Sequence, residues 1–138
     1  MHDGDYRRLR GAVADANRVK KYLIEKKRVD PHNIKDLLNK AATREEIIKQ
    51  FKLLATNSNI KKDDPILIYF AGHGASVPIP SWREHFYADG QTHLEMICPV
   101  DLSPSASNPL VIPGIPDFTI SRLLKSISVK KGNNIVNI

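Results

Sequence analysis

The chain has 138 residues, 41% hydrophobic and 26% charged, which suits one globular domain with a real core and excludes a disordered or fibrous chain. Its formal net charge of +6 would suit an acidic partner. The Lys and Arg residues are spread along helical stretches without interleaved aromatics, however, so no nucleic-acid partner is expected. A single cysteine, Cys98, allows no disulfide within the chain and fits a reducing compartment, cytoplasmic or nuclear. There is no signal-peptide core at the N-terminus and no apolar run of membrane-spanning length, so no membrane partner is expected either.

In chain order, Leu9, Val13, Ala16, Val19 and Leu23 recur at helical steps and predict an amphipathic helix over residues 9–26. Lys20, Lys21, Lys26, Lys27 and Arg28 form its solvated side and end. Asp30-Pro31 reads as a turn and residues 33–38 as a short strand. Thr43-Arg44-Glu45-Glu46 fits a capping box, with the Thr43 hydroxyl capping and Glu46 reaching back. The helix it opens places Ile47, Ile48, Phe51, Leu54 and Ala55 on one face and ends at Asn57-Ser58-Asn59. After Asp63-Asp64-Pro65, the run Ile66-Leu67-Ile68-Tyr69-Phe70 reads as a buried strand that breaks at Gly72-His73-Gly74. Open α/β sheets carry their chemistry at the carboxyl ends of strands, and histidine is the commonest acid/base near neutral pH.

Residues 75–92 read as a long loop over that end of the sheet, with Trp82 bordering a groove. Residues 94–98 predict another strand, stopped by Pro99. Residues 103–116, rich in Ser and Pro, predict a second loop. Asp117 or Thr119 can cap a helix with Ile120, Leu123, Leu124 and Ile127 on one face. Residues 130–133 turn, and residues 134–138 begin a last strand. Helices alternating with short apolar strands predict an α/β domain with a mainly parallel sheet and flanking helices. His85, His93 and Cys98 match no common zinc spacing, so no metal site is assigned.

Five segments together resemble the caspase-like cysteine peptidases of family C14, the metacaspase and fungal caspase-domain group. They are Leu9-Arg10-Gly11-Ala12-Val13-Ala14-Asp15-Ala16-Asn17, Ala41-Ala42-Thr43-Arg44, the stretch from Asp64 to Gly74, Ile97-Cys98-Pro99-Val100-Asp101 and Ile115-Pro116-Asp117. The resemblance implies a caspase-like sheet of flavodoxin-like strand order and a cysteine-type endopeptidase. It makes residues 1–138 a partial domain corresponding to the large subunit. His73 then matches the catalytic acid/base of a Cys/His dyad, and the backbone N–H of Gly74 an oxyanion-hole donor. Cys98 and Asp101 match residues lining the S1 pocket, where a carboxylate selects Arg or Lys at P1 of a peptide or protein substrate.

The chain departs from that pattern at both ends. No residue matches the family's nucleophilic cysteine, because Asn133-Asn134-Ile135-Val136-Asn137-Ile138 matches only the approach to its strand. The family's first strand, before the Leu-Arg-Gly helix, has no match either. Its loss would leave backbone groups of residues 34–38 and 66–70 to be re-paired or solvated. The expectation is therefore a fragment of marginal stability, inactive alone. The alternative is a pseudo-peptidase or regulatory binding module. Many metacaspases need calcium, but no calcium site and no cofactor is assigned in this chain, and its oligomeric state is not legible.

Overall fold

A computed structural model describes residues 9, 11–79, 90–102 and 114–138. Helix α1 spans Ala12–Lys27 and ends where Arg28 turns left-handed at φ 58°. Its apolar stripe has the expected period, yet none of its residues is buried. Its named ties are polar and exposed: Lys20 Nζ reaches Asp36 Oδ2 at 2.8 Å, and Lys21 pairs with Glu25 at 3.8 Å.

The turn at Asp30 is a single 3-10 turn, Pro31–Asn33, in which Asp30 Oδ1 accepts the His32 N–H at 2.9 Å. The strand expected over residues 33–38 is not formed. Ile34 and Leu38 have extended backbones, but the segment joins no ladder. Extended geometry is a property of the residue, whereas a strand needs a hydrogen-bonded neighbour.

Helix α2 spans Arg44–Thr56, with Thr43 Oγ1 accepting the Glu46 N–H at 3.2 Å. Only half of the expected capping box exists. The Glu46 carboxylate accepts instead from Gln50 Nε2 at 2.7 Å and Lys49 Nζ at 3.4 Å. Helix α3 spans Asp117–Lys131, and its N-cap is Pro116, without a side-chain cap. Asp117 is already helical, its Oδ1 accepting the N–H of Phe118 at 2.6 Å, so neither Asp117 nor Thr119 is the cap.

The described strands are β1 (Ile66–Ile68), β2 (Gly74–Pro78), β3 (His93–Ile97), β4 (Ile115–Pro116) and β5 (Ile135–Asn137). The α/β class holds, but a parallel majority is not seen among the described residues. β1 and β5 pair in parallel, while β2, β3 and β4 form an antiparallel sheet in that order. β2 and β4 correct two readings at once: residues 75–78 and 115–116 were expected in loops and are in strands. Ala75 and Val77, half-buried, and the buried Ile79 alternate with exposed Gly74, Ser76 and Pro78. That is the period of a strand with one face on a core. The calls on Trp82 and His85, and on the second loop over residues 103–113, lie outside the described residues.

Two apolar clusters hold the elements. Phe51 and Ala55 of α2 meet Ile127 of α3 and Ile66 of β1, so both helices pack on the parallel pair. Ile79, Leu94 and Met96 form the second cluster under the antiparallel sheet. Lys131 Nζ closes the far end of the helix pair by donating to the carbonyls of Asn57 and Ile60, both at 2.7 Å. No helix among the described residues is long and apolar enough to cross a membrane.

Candidate active site

β1 delivers the chain toward His73. Beyond its last residue the parallel pairing continues, with the Phe70 N–H donating to Ile138 O at 2.8 Å. Residues 71–73 then turn the chain into β2, whose first residue is Gly74. His73 is half-buried at this junction, at the carboxyl end of the strand as the sequence reading expects.

β3 runs back along β2 and brings Cys98 to His73. The Cys98 N–H donates to His73 O at 2.8 Å, one step beyond the paired residues Gly74 and Ile97. Antiparallel ladders alternate hydrogen-bonded and non-hydrogen-bonded pairs. His73 and Cys98 take a bonded position, so Gly74 and Ile97 take a non-bonded one. The Gly74 N–H therefore points away from β3, toward the other edge of β2. Pro78 checks the phase: it has no N–H to give, and it stands opposite His93 in the same outward register. The other side of β2 pairs with no described strand. Gly74 is exposed, and an added Cβ there would meet Met96 O at 3.5 Å, an ordinary contact.

By the same alternation Cys98 continues the row of Leu94 and Met96, both buried. It is half-buried itself, and burial pushes its thiol above the usual cysteine range. A raised thiol is the opposite of an activated nucleophile.

Pro99 is buried and Val100 and Asp101 turn outward. This turn is tied to the start of α2. The Val100 N–H donates to Ala42 O at 3.0 Å, and the Arg44 N–H donates to Asp101 Oδ1 at 2.9 Å. Asp101 thus supplies the second cap of α2, from 57 residues away. Arg44 Nε also donates to Gly114 O, at 3.3 Å. The four expected site residues lie along one strip: His73 just before β2 and Gly74 at its start, Cys98 and Asp101 just after its neighbour β3. Ala42 and Arg44 were not expected there. Their only sequence signal is that Ala41-Ala42-Thr43-Arg44 is one of the segments carrying the family resemblance.

An open groove between α3 and β5, walled by Leu124, Ser128, Ile135 and Asn137, shares no residue with this strip. Among the described residues no three His, Cys, Asp or Glu side chains gather as a metal site.

No curated protein matches this sequence. Residues 2–126 match the family model described as the metacaspase, peptidase C14 domain. That match takes in the whole described strip from His73 to Asp101, and the chain belongs to the metacaspase peptidase C14 family.

Proposed function

We propose that this chain forms the histidine and pocket half of a cysteine endopeptidase that cleaves after Arg or Lys. The observation that carries this is the strip itself. One hydrogen bond, Cys98 N–H to His73 O, sets the imidazole-bearing residue beside the segment that ends in the Asp101 carboxylate. In this reading β1 and β5 are neighbours in a caspase-like sheet of flavodoxin-like order.

The chemistry follows from the residue types. A thiolate attacks the peptide carbonyl carbon, and the imidazole of His73 gives its proton to the leaving amine. The carbonyl oxygen gathers charge as the carbon becomes tetrahedral. A main-chain donor such as the outward Gly74 N–H is rigidly placed to meet it. Asp101 attracts a cationic P1 side chain, and Cys98 is part of the wall beside it. In this reading the attacking thiolate is not Cys98, the single cysteine of these 138 residues, because burial pushes its thiol up, away from an activated nucleophile. The second reading is a pseudo-peptidase that binds without cutting. With no pairing partner for its cysteine, the chain suits a reducing compartment, and the proposed setting is cytoplasmic or nuclear.

Peptide cleavage tests the proposal. The 138 residues alone should cleave neither Arg- nor Lys-P1 peptides, with or without calcium. The longest protein encoded by the intact transcript should cleave both, and His73→Ala should abolish it. Cleavage after Asp, or cleavage by the short chain that survives His73→Ala and dies with Cys98→Ala, would overturn these assignments. No cleavage by the longest protein would leave the pseudo-peptidase.

A further inference from the structure

We propose that Arg44 is a positioning residue for substrate selection: it fixes the Asp101 carboxylate so that one oxygen is held and the other is presented. This rests on the reading of Asp101 as the selector of a basic P1 residue. Three observations support it. The Arg44 main-chain N–H binds Asp101 Oδ1 at 2.9 Å, while Oδ2 accepts no hydrogen bond from the described residues. The Arg44 side chain does not neutralise that carboxylate. Its Nε goes to Gly114 O at 3.3 Å, and no described cation pairs with Asp101. Gly114 is itself buried, and an added side chain there would meet the Met96 side chain under the antiparallel sheet.

The arrangement solves a physical problem. An exposed carboxylate on a free turn gains little from a passing cation, because the pair must be ordered as it forms. Here the ordering is done beforehand. The turn is tied by Val100 to Ala42, by Asp101 to Arg44 and, through Cys98, to His73. The free oxygen is left with its lone pairs available for a guanidinium or ammonium group, and charge-assisted bonds to a pre-set acceptor are the strong ones. Arg44 thereby links α2, Asp101 and Gly114 through one residue that touches neither the scissile bond nor the substrate.

The test uses the isotope-labelled 138-residue chain and two blocked peptides that differ only in Arg or citrulline at P1. Citrulline keeps the shape and removes the charge. The unaltered chain should bind the Arg peptide about tenfold more tightly, with the Arg44 amide signal moving for Arg and not for citrulline. Arg44→Pro is suited to the first helical position, where proline is well tolerated, yet it removes both the N–H and the guanidinium. It should bring the ratio down to about one, as Asp101→Asn should. Arg44→Lys keeps the N–H and loses only the Gly114 tie, and should lower the ratio by about threefold. A ratio that stays near tenfold in both Arg44 variants would overturn the positioning role while leaving Asp101 as selector. Equal affinity of the unaltered chain for the two peptides would overturn the basic-P1 reading and the positioning role with it.

Discussion

The backbone N–H of Cys98 donates to the carbonyl oxygen of His73 across 2.8 Å. The bond places the two residues opposite each other, and so it sets the phase of the whole β2–β3 ladder. From that phase follow the outward N–H of Gly74 and the inward row on which Cys98 sits. A slip of one residue would exchange the two faces.

Cys98 should be a slow thiol. Burial raises its pKa, so at pH 7.5 less thiolate is present than for a free cysteine. Alkylation by iodoacetamide, followed by intact-mass spectrometry, should run several-fold slower on the native chain than on the urea-unfolded chain. Reaction faster than the unfolded control would mark an activated nucleophile and contradict the pocket-wall assignment. The linked stability has a definite sign. A raised acid pKa stabilises the fold below the unfolded value, and that contribution is lost as pH rises through the folded value. Cys98→Ala should therefore flatten the alkaline end of a stability–pH curve.

The two caps of α2 can be separated. Thr43 serves the N–H of Glu46, and Asp101 serves that of Arg44. Thr43→Ala and Asp101→Ala should each cost about 1 kcal/mol in urea unfolding. Asp101→Asn, still able to cap, should cost only a few tenths of that on the order of capping scales. The Thr43 cap is legible from Thr43-Arg44-Glu45-Glu46, because capping is local. The Asp101 cap is not, because nothing within a few residues of Arg44 announces a carboxylate 57 positions on.

Stability should divide sharply between helices. Ile127 is fully buried between α2, α3 and β1, whereas no residue of α1 is buried. Ile127→Ala should cost about 2–5 kcal/mol. Leu23→Ala, on the apolar stripe of α1, should cost under about 1 kcal/mol. Equal costs in chemical denaturation would mean that α1 is packed in solution. The two helices look alike in the sequence, since periodicity reports which face is apolar but not whether anything covers it.

Acid should loosen α1 first. The hydrogen bond from Lys20, with its charge, holds the Asp36 carboxyl below the usual carboxylate range. A depressed carboxyl pKa stabilises above the unfolded value, and the contribution is lost as pH falls through the folded one. Amide exchange in α1 should therefore rise relative to α2 as pH drops below the ordinary Asp range, once intrinsic rates are corrected. Asp36→Asn should remove the difference, and high salt should weaken it because the pair is exposed.

The melt should be broad. Only Phe51, Ala55, Ile66, Ile79, Leu94, Met96, Ile115 and Ile127 are buried hydrophobics among the described residues, and seven of them fall in two separate clusters. Calorimetry should give an unfolding enthalpy well below about 0.7 kcal/mol per residue. A sharp two-state transition above about 60 °C would contradict this.

What the sequence showed best was local or strongly apolar: α1, α2, α3 and the start of β1, although the strand read as buried over residues 66–70 spans Ile66–Ile68 and is buried only at Ile66. It hid β2 because Gly74-Ala75-Ser76-Val77-Pro78 is short, small and bounded by a glycine and a proline. Its alternation emerges only when the burial of Ile79 extends the row. It hid β4 because two residues carry no period. It overstated residues 33–38, where extended conformation was legible and the absence of a ladder partner was not. His73, Gly74, Cys98 and Asp101 were singled out through family-like motifs, while the tie through Arg44 needed coordinates.

Pro78 has a consequence for how this molecule keeps company. The outer edge of β2 could act as a template on which a stray strand from another chain zips up and seeds aggregation. Its outward donors would come from Gly74, Ser76 and residue 78, and the last of these is a proline that supplies none. The edge is therefore blunt at one end and open at the other. It can offer N–H groups at Gly74 and Ser76 only, and strand pairing cannot continue through residue 78.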